Sequence, residues 1–81
     1  MTNSDIKRAL YSEFVTWLNY EVIWNKYEEA EYTEDNDGKH RITCKLDPVE
    51  FGIQWHRFSG DFGKEYTLEN HKTLDNYTVF Y

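Results

Sequence analysis

The chain has 81 residues, of which 40% are hydrophobic and 19% aromatic, with one cysteine and a net charge of −6 at pH 7. This composition predicts a single folded domain spanning residues 1–81 and excludes intrinsic disorder, while the single Cys44 excludes an internal disulfide. The acidic balance argues against direct nucleic-acid binding, because affinity for that polyanion depends on Lys and Arg.

The sequence contains no segment expected to enter a membrane. No uninterrupted apolar run exceeds three residues, as in Val22-Ile23-Trp24, whereas a spanning helix needs about 20. The opening stretch MTNSDIKRAL lacks the basic and apolar regions of a secretory signal. We therefore expect a cytoplasmic protein, located in the host cytosol if its source is viral, with no membrane role.

Residues from Ser4 to about Lys26 have the spacing of an amphipathic helix. Ser4 or Asn3 can cap it, and Asp5 lies in the first turn, where the helix dipole favours a carboxylate. One broad apolar face collects Ile6, Leu10, Phe14, Trp17, Leu18 and Trp24. The β-branched and aromatic content of residues 14–24 lowers helix propensity, so a strand there is the main alternative.

After Tyr27 the pattern changes to a period of two, which predicts a β-hairpin. Alternation places His40, Ile42, Cys44 and Leu46 on one face and Arg41, Thr43 and Lys45 on the other. If Asn36-Asp37-Gly38 is a three-residue loop with Gly38 in the left-handed conformation, Asp35 faces Lys39. The register then pairs Ala30 with Cys44, Tyr32 with Ile42, Glu34 with His40, Thr33 with Arg41 and Glu29 with Lys45. Apolar residues oppose apolar ones and acids oppose bases, which favours this register over a one-residue slip.

The remaining segments predict further strands. After Asp47-Pro48, the alternation of Val49, Phe51, Ile53 and Trp55 predicts a third strand. Residues 59–63 predict a turn, 64–68 a short strand, 69–76 a loop, and 77–81 a strand inside the sheet. The expected fold is α+β, with one N-terminal helix packed on an antiparallel sheet of four or five strands.

The predicted hairpin carries the whole net charge of the chain. Between Tyr27 and Gly38 lie six carboxylates and no Lys or Arg, and the other residues contain nine acids and nine bases. Protection of an edge strand explains two or three charges, but six of one sign repel one another, which favours a surface for a basic partner. The predicted partner-binding residues are Glu28, Glu29, Glu31, Tyr32, Glu34, Asp35 and Asp37.

These features lead to two hypotheses from different functional classes. In the first, the protein is an inhibitor or regulator that docks its acidic hairpin into a basic site of a partner protein. That site would be the nucleic-acid site of a nuclease, a restriction or CRISPR-type effector, or a transcription factor. Small acidic bacteriophage proteins, including DNA mimics, and nuclease immunity proteins are similar in size and charge. In the second, the protein is an interaction module or homodimer subunit with an aromatic surface formed by Trp55, Phe58, Phe62, Tyr66 and Tyr81.

Metal binding and catalysis are weaker hypotheses. Glu34, His40 and Cys44 share a predicted face, but the sequence lacks the paired Cys and His spacing of zinc sites. Either His56 or His71 could exchange protons beside Glu50, Glu65 or Glu69, although such pairs arise by chance in an acidic chain. We therefore expect neither an enzyme nor a metal or other cofactor.

Overall fold

A computed structural model, which describes residues 2–22 and 30–81, shows two α-helices on one face of a four-stranded antiparallel sheet. The helices are α1 (Asn3–Trp17) and α2 (Pro48–Ser59). The strands are β1 (Glu31–Glu34), β2 (His40–Cys44), β3 (His71–Thr73) and β4 (Thr78–Phe80). They lie in the order β1-β2-β4-β3. The predicted α+β class is confirmed, but the described residues form two helices instead of one.

Helix α1 begins with a capping box that involves Thr2 instead of the predicted Ser4 or Asn3. The Thr2 hydroxyl accepts a hydrogen bond from the Asp5 N–H at 3.1 Å, and the Asp5 carboxylate accepts one from the Thr2 N–H at 3.2 Å. After Trp17 the chain continues as a π-helical turn, Leu18–Val22. The strand alternative is therefore wrong for residues 14–22, whereas 23–26 lie outside the described residues.

The β1–β2 hairpin has the predicted register. The Asp35 N–H donates to the Lys39 carbonyl at 3.0 Å, and Gly38 has a φ of 77°, which a residue without Cβ adopts at little cost. Paired positions include Tyr32 with Ile42, Thr33 with Arg41, and Glu34 with His40. Burial alternates along β2 as predicted, with His40, Ile42 and Cys44 buried.

The predicted third strand is wrong, because residues 48–59 form helix α2. Asp47 caps this helix by accepting a hydrogen bond from the Glu50 N–H at 2.8 Å, and Pro48 occupies the first turn, where its missing N–H costs nothing. Helical spacing buries Phe51, Gln54 and Trp55 and leaves Val49 and Ile53 exposed. The alternation that suggested a strand thus includes two residues outside the core.

A 3-10 helix, Gly60–Tyr66, follows α2, so the strand predicted for residues 64–68 is also wrong. The Trp55 indole N–H donates to the Gly63 carbonyl at 3.0 Å. A Cβ at Gly63 would lie 1.8 Å from Ser59 Oγ, so the close approach of α2 to this segment requires glycine. Tyr66 and Leu68 pack against the core, although neither residue belongs to a strand.

The end of the chain forms the centre of the sheet. Strand β4 lies between β2 and β3, which confirms the prediction that residues 77–81 pair inside the sheet. The loop predicted for residues 69–76 is wrong at His71–Thr73, which form the edge strand β3. Because Phe80 stacks on Phe51 with ring centroids 3.7 Å apart, β4 also joins the sheet to α2.

The core is mainly aromatic and lies between the helices and the inner face of the sheet. Phe14 is fully buried and contacts the rings of Trp17, Phe51, Trp55 and Phe58. Among the described residues, every buried side-chain nitrogen or oxygen has a hydrogen-bond partner. Neither α-helix, nor any other helical segment in the described ranges, has the length and hydropathy needed to cross a membrane.

Candidate functional site

The acidic hairpin is held in place at both ends of its first strand. Before β1, the Asn19 side-chain amide forms two hydrogen bonds with the backbone of Ala30, at 2.6 and 3.1 Å. After β1, the Asp35 turn closes the hairpin. Five of the seven predicted binding residues lie in the described part of the chain, and Glu28 and Glu29 lie outside it.

Glu34 joins the hairpin to helix α1 through a bidentate ion pair with Arg8. The Arg8 Nε lies 2.7 Å from Glu34 Oε1, and Nη2 lies 3.0 Å from Oε2. The Arg8 guanidinium lowers the pKa of Glu34 and also contacts Asp5 at 2.8 Å. The charge of Glu34 is therefore compensated within the molecule.

Asp35 shapes the turn. Its Oδ1 accepts hydrogen bonds from the N–H groups of Asp37 and Lys39, both at 2.9 Å, and its Oδ2 accepts one from Arg41 Nη1 at 2.7 Å. The Lys39 N–H and, to a smaller extent, the Arg41 guanidinium lower the pKa of this carboxyl. The loop chemistry explains why an aspartate stands here, independently of any partner.

Tyr32 faces inward and is half-buried. Its hydroxyl lies 2.7 Å from His40 Nδ1, and the Ser4 hydroxyl lies 3.3 Å from His40 Nε2. Both ring nitrogens of this buried histidine are thereby used, and burial lowers its pKa. Burial raises the pKa of Tyr32 as well. Tyr32 therefore stabilises the hairpin against α1 more directly than it presents a surface to a partner.

Glu31 and Asp37 remain as outward-facing carboxylates of the hairpin. Glu31 lies on the edge strand, opposite Thr43, and Asp37 lies at the turn; both are exposed. No ion pair within residues 2–22 and 30–81 includes either side chain. The five described members of the predicted site thus divide into three with internal contacts and two that face solvent.

The two arginines were not among the predicted site residues. Arg8 lies outside the apolar face predicted for the helix, and Arg41 lies on the outer face predicted for the hairpin. Glu34 is two residues after Tyr32, so both side chains lie on the inward face of the strand. A carboxylate there needs a cation as partner, and this was the sequence signal for an arginine from the helix. The position of Arg8 along the helix relative to β1 depends on tertiary packing, so the pairing was not visible from spacing alone.

The groups considered for metal binding and catalysis are not arranged around a common centre. Glu34 binds Arg8, His40 binds Tyr32, and burial raises the pKa of the Cys44 thiol to about 11. No cluster of three or more metal-ligating side chains occurs among the residues that the structure describes. Over the same ranges, neither His56 nor His71 forms a hydrogen bond or ion pair with Glu50, Glu65 or Glu69.

The residues of the predicted aromatic surface are distributed differently from expectation. Trp55 is buried, Phe58 and Tyr66 are partly buried against the core, and Phe62 and Tyr81 are exposed. Phe62 lies in the 3-10 helix after α2, whereas Tyr81 follows β4. This set therefore includes core residues as well as exposed ones.

Comparisons of this chain with protein-family models, with curated proteins and with solved structures found no match.

Proposed function

We propose that this protein is a non-catalytic inhibitor or regulator that binds a basic, nucleic-acid-binding site of a partner protein through the exposed carboxylates of its β1–β2 hairpin. The observation that supports the proposal is the position of Glu31 and Asp37 on an anchored hairpin at the sheet edge. Neither carboxylate has a compensating cation among the described side chains. Glu28 and Glu29, which precede Ala30 and β1 in sequence, complete the proposed set of contact carboxylates.

The internal ion pairs give the hairpin a defined shape. Arg8 fixes Glu34 against α1, and Arg41 fixes Asp35 in the turn. A preorganised charged surface loses less conformational entropy on binding than a mobile one, and it attracts an oppositely charged site over long distances. Glu34 and Asp35 therefore position the hairpin, while Glu28, Glu29, Glu31 and Asp37 would contact the basic partner.

The free edge of β1 supports docking in a second way. Strand β1 pairs only with β2 in the described sheet, so its other side presents backbone N–H and C=O groups. Partner groups that can reach Glu31 could also hydrogen-bond this backbone. Basic side chains would then supply charge complementarity, while the strand edge would supply geometric specificity.

The proposal is tested by neutralising the four carboxylates assigned to partner contact. The variant E28Q/E29Q/E31Q/D37N, immobilised beside the unmodified protein, is incubated with nuclease-treated lysate of the source cell at low salt. We expect the unmodified protein to retain a basic protein that elutes as salt rises and that added double-stranded DNA displaces. The variant should retain much less of it.

A matched control distinguishes the effect of removing these particular carboxylates from the effect of reducing the net negative charge. The variant E13Q/E65Q/E69Q/D75N removes four exposed carboxylates elsewhere on the molecule, so both variants change the net charge equally. The control should retain the partner as well as the unmodified protein does. Equal retention by all three proteins, or retention that DNA does not affect, would contradict the proposal.

A second candidate function is that of an oligomer subunit, and one feature of α2 favours it. Val49 and Ile53 are one helical turn apart, and 74% and 51% of their surfaces are exposed. Burial of this pair against another copy would remove apolar area from water. Sedimentation should then show a dimer that V49K/I53K dissociates, whereas a monomer at all concentrations would exclude this candidate.

A further inference from the structure

The two faces of the sheet differ in what covers them. Helices α1 and α2 pack against the inner face, where Ile42 and Phe80 are buried. The outer face, defined here by Thr33, Arg41, Thr43, Lys72 and Val79, carries no described element over it. Within residues 2–22 and 30–81 it is therefore an open surface of the four-stranded sheet.

Strand register brings cations beside an aromatic ring on the outer face. Val79 pairs with Thr43 on one side and Lys72 on the other, and the Tyr81 backbone forms two hydrogen bonds with Asn70. Continuing the β2–β4 register by one residue places Arg41 opposite Tyr81. Together, Lys39, Arg41, Lys72, Val79 and Tyr81 line a hollow of about 470 Å³.

The cations of this hollow are available to a ligand. No ion pair within the described ranges includes Lys39 or Lys72, and both residues are exposed. Arg41 binds Asp35 through Nη1 only, which leaves further guanidinium N–H donors. The hollow is thus locally basic, although the molecule as a whole is acidic.

Two tyrosines lie along the central strand on this same face. Tyr77, Val79 and Tyr81 alternate in position, so they share a side of β4. Tyr77 and Val79 line a second hollow next to the first, and Glu31 lines its opposite side. The exposed fractions of Tyr77 and Tyr81 are 41% and 47%. By strand geometry their Cα atoms are about 13 Å apart. Exposed aromatic side chains at such positions provide flat surfaces on which bases stack.

We propose that the outer face binds single-stranded nucleic acid along β4. Lys39, Lys72 and Arg41 bind phosphates, and bases stack on Tyr81 and Tyr77. The carboxylates of an acidic peptide would satisfy the cations but would not stack on the two tyrosine rings as nucleobases do, so the combination favours nucleic acid. The expectation drawn from net charge does not apply to the β3 and β4 side of this face, because the excess acids belong to residues 28–37, which lie at the β1 side or outside the described residues.

The carboxylates of β1 determine where the strand lies. Glu31 and Asp35 belong to the β1 side of the face, where they would repel phosphates. Lys72 and Tyr81 belong to the β3 and β4 side. The bound strand therefore follows β4 on its β3 side, and it comes nearest to the acidic edge at Tyr77, where Glu31 lines the same hollow. Glu31 borders both this ligand and the surface proposed for the basic partner protein, whereas Lys72 and Tyr81 belong only to the first and Asp37 only to the second. Variants at Lys72, Tyr81 and Asp37 therefore distinguish failure of one proposal from failure of the other.

Fluorescence anisotropy with a labelled oligothymidylate of about ten nucleotides tests the inference directly. The unmodified protein should bind this probe at about 50 mM salt and lose affinity as salt rises. Lys72→Gln should weaken binding about threefold or more and reduce the slope of log affinity against log salt by about 0.7, the value for one phosphate contact. Tyr81→Leu should weaken binding about fivefold or more through lost stacking.

Controls exist for both substitutions in the same chain. Lys64→Gln removes an exposed lysine of the 3-10 helix, and Tyr20→Leu removes an exposed ring of the π-helical turn after α1, both away from the outer face. Neither control should change affinity for the probe. The inference is overturned if the unmodified protein does not bind, if each variant and its control have equal effects, or if an oligoglutamate peptide displaces the probe at equal concentration.

Discussion

The two faces of the sheet show how neighbouring residues of one strand acquire different roles. Along β2, the inward residues His40, Ile42 and Cys44 are buried, while Arg41 and Thr43 between them stay partly exposed. The inner face excludes water, so each polar group there needs a partner, as His40 has in Tyr32 and Ser4. The outer face has no such requirement. Lys72 on that face makes no ion pair within the described ranges and can bind a ligand.

The carboxylates of the hairpin differ in the same way. Glu34 lies on the inward side and reaches Arg8 of α1, whereas Glu31, three residues earlier, lies on the outer side without an ion pair in the described ranges. Carboxylates that are clustered in sequence therefore do not form one uniform charged surface in the folded protein. Strand parity assigns one carboxylate to packing and another to solvent.

The largest expected effect is the loss of stability when Ile42 of β2 is truncated, compared with truncation of its neighbour Thr43. Ile42→Ala should lower the free energy of unfolding by about 2 to 5 kcal/mol, because it leaves a cavity under the helices. Thr43→Ala, one residue along and on the other face, should change it by less than about 0.5 kcal/mol. Urea unfolding measures both. Similar losses at the two positions would contradict the assignment of faces.

An intermediate effect is expected at His40, and it should depend on pH. His40→Gln should cost about 1 to 3 kcal/mol at neutral pH, because the Tyr32 hydroxyl loses its partner. Since burial lowers the folded-state pKa of His40 below its ordinary value of 6.5, the unfolded chain binds this proton more readily. Stability is therefore retained above about pH 6.5 and decreases as pH falls from there toward the folded-state pKa.

Urea midpoints at about pH 7.5 and 5.5 test this dependence. The unmodified protein and the exposed-site control His56→Gln should both lose stability over that interval. His40→Gln should lose less. An unchanged pH response in His40→Gln would show that another group controls it.

The smallest effect is expected at Glu31. Glu31→Gln should leave the free energy of unfolding within about 0.5 kcal/mol, because this exposed side chain makes no ion pair among the described residues. Thermal or urea unfolding checks the value. A loss well above this limit would place Glu31 with the structural carboxylates and weaken its assignment to partner binding.

Local sequence signals predicted the hairpin well. Gly38 in the loop, apolar residues at alternate positions, and opposed acids and bases all favour one register, and the structure has it. The same reasoning failed for α2, because Val49, Phe51, Ile53 and Trp55 fit a strand period while Phe51 and Trp55 also fit a helix. The Asp47-Pro48 cap, which decides between them, was a sequence signal that the strand prediction overlooked.

The sequence by itself determined the α+β class, the register of the hairpin and the confinement of the excess charge to residues 28–37, because these depend on residues close together in the chain. Only the tertiary structure decided that Arg8 compensates Glu34, 26 residues away, and that Lys72 and Tyr81 meet Arg41 on an open face. These contacts depend on how helices and strands pack. Packing brings together side chains that are far apart in sequence, and no periodic pattern in the sequence indicates which of them will be in contact.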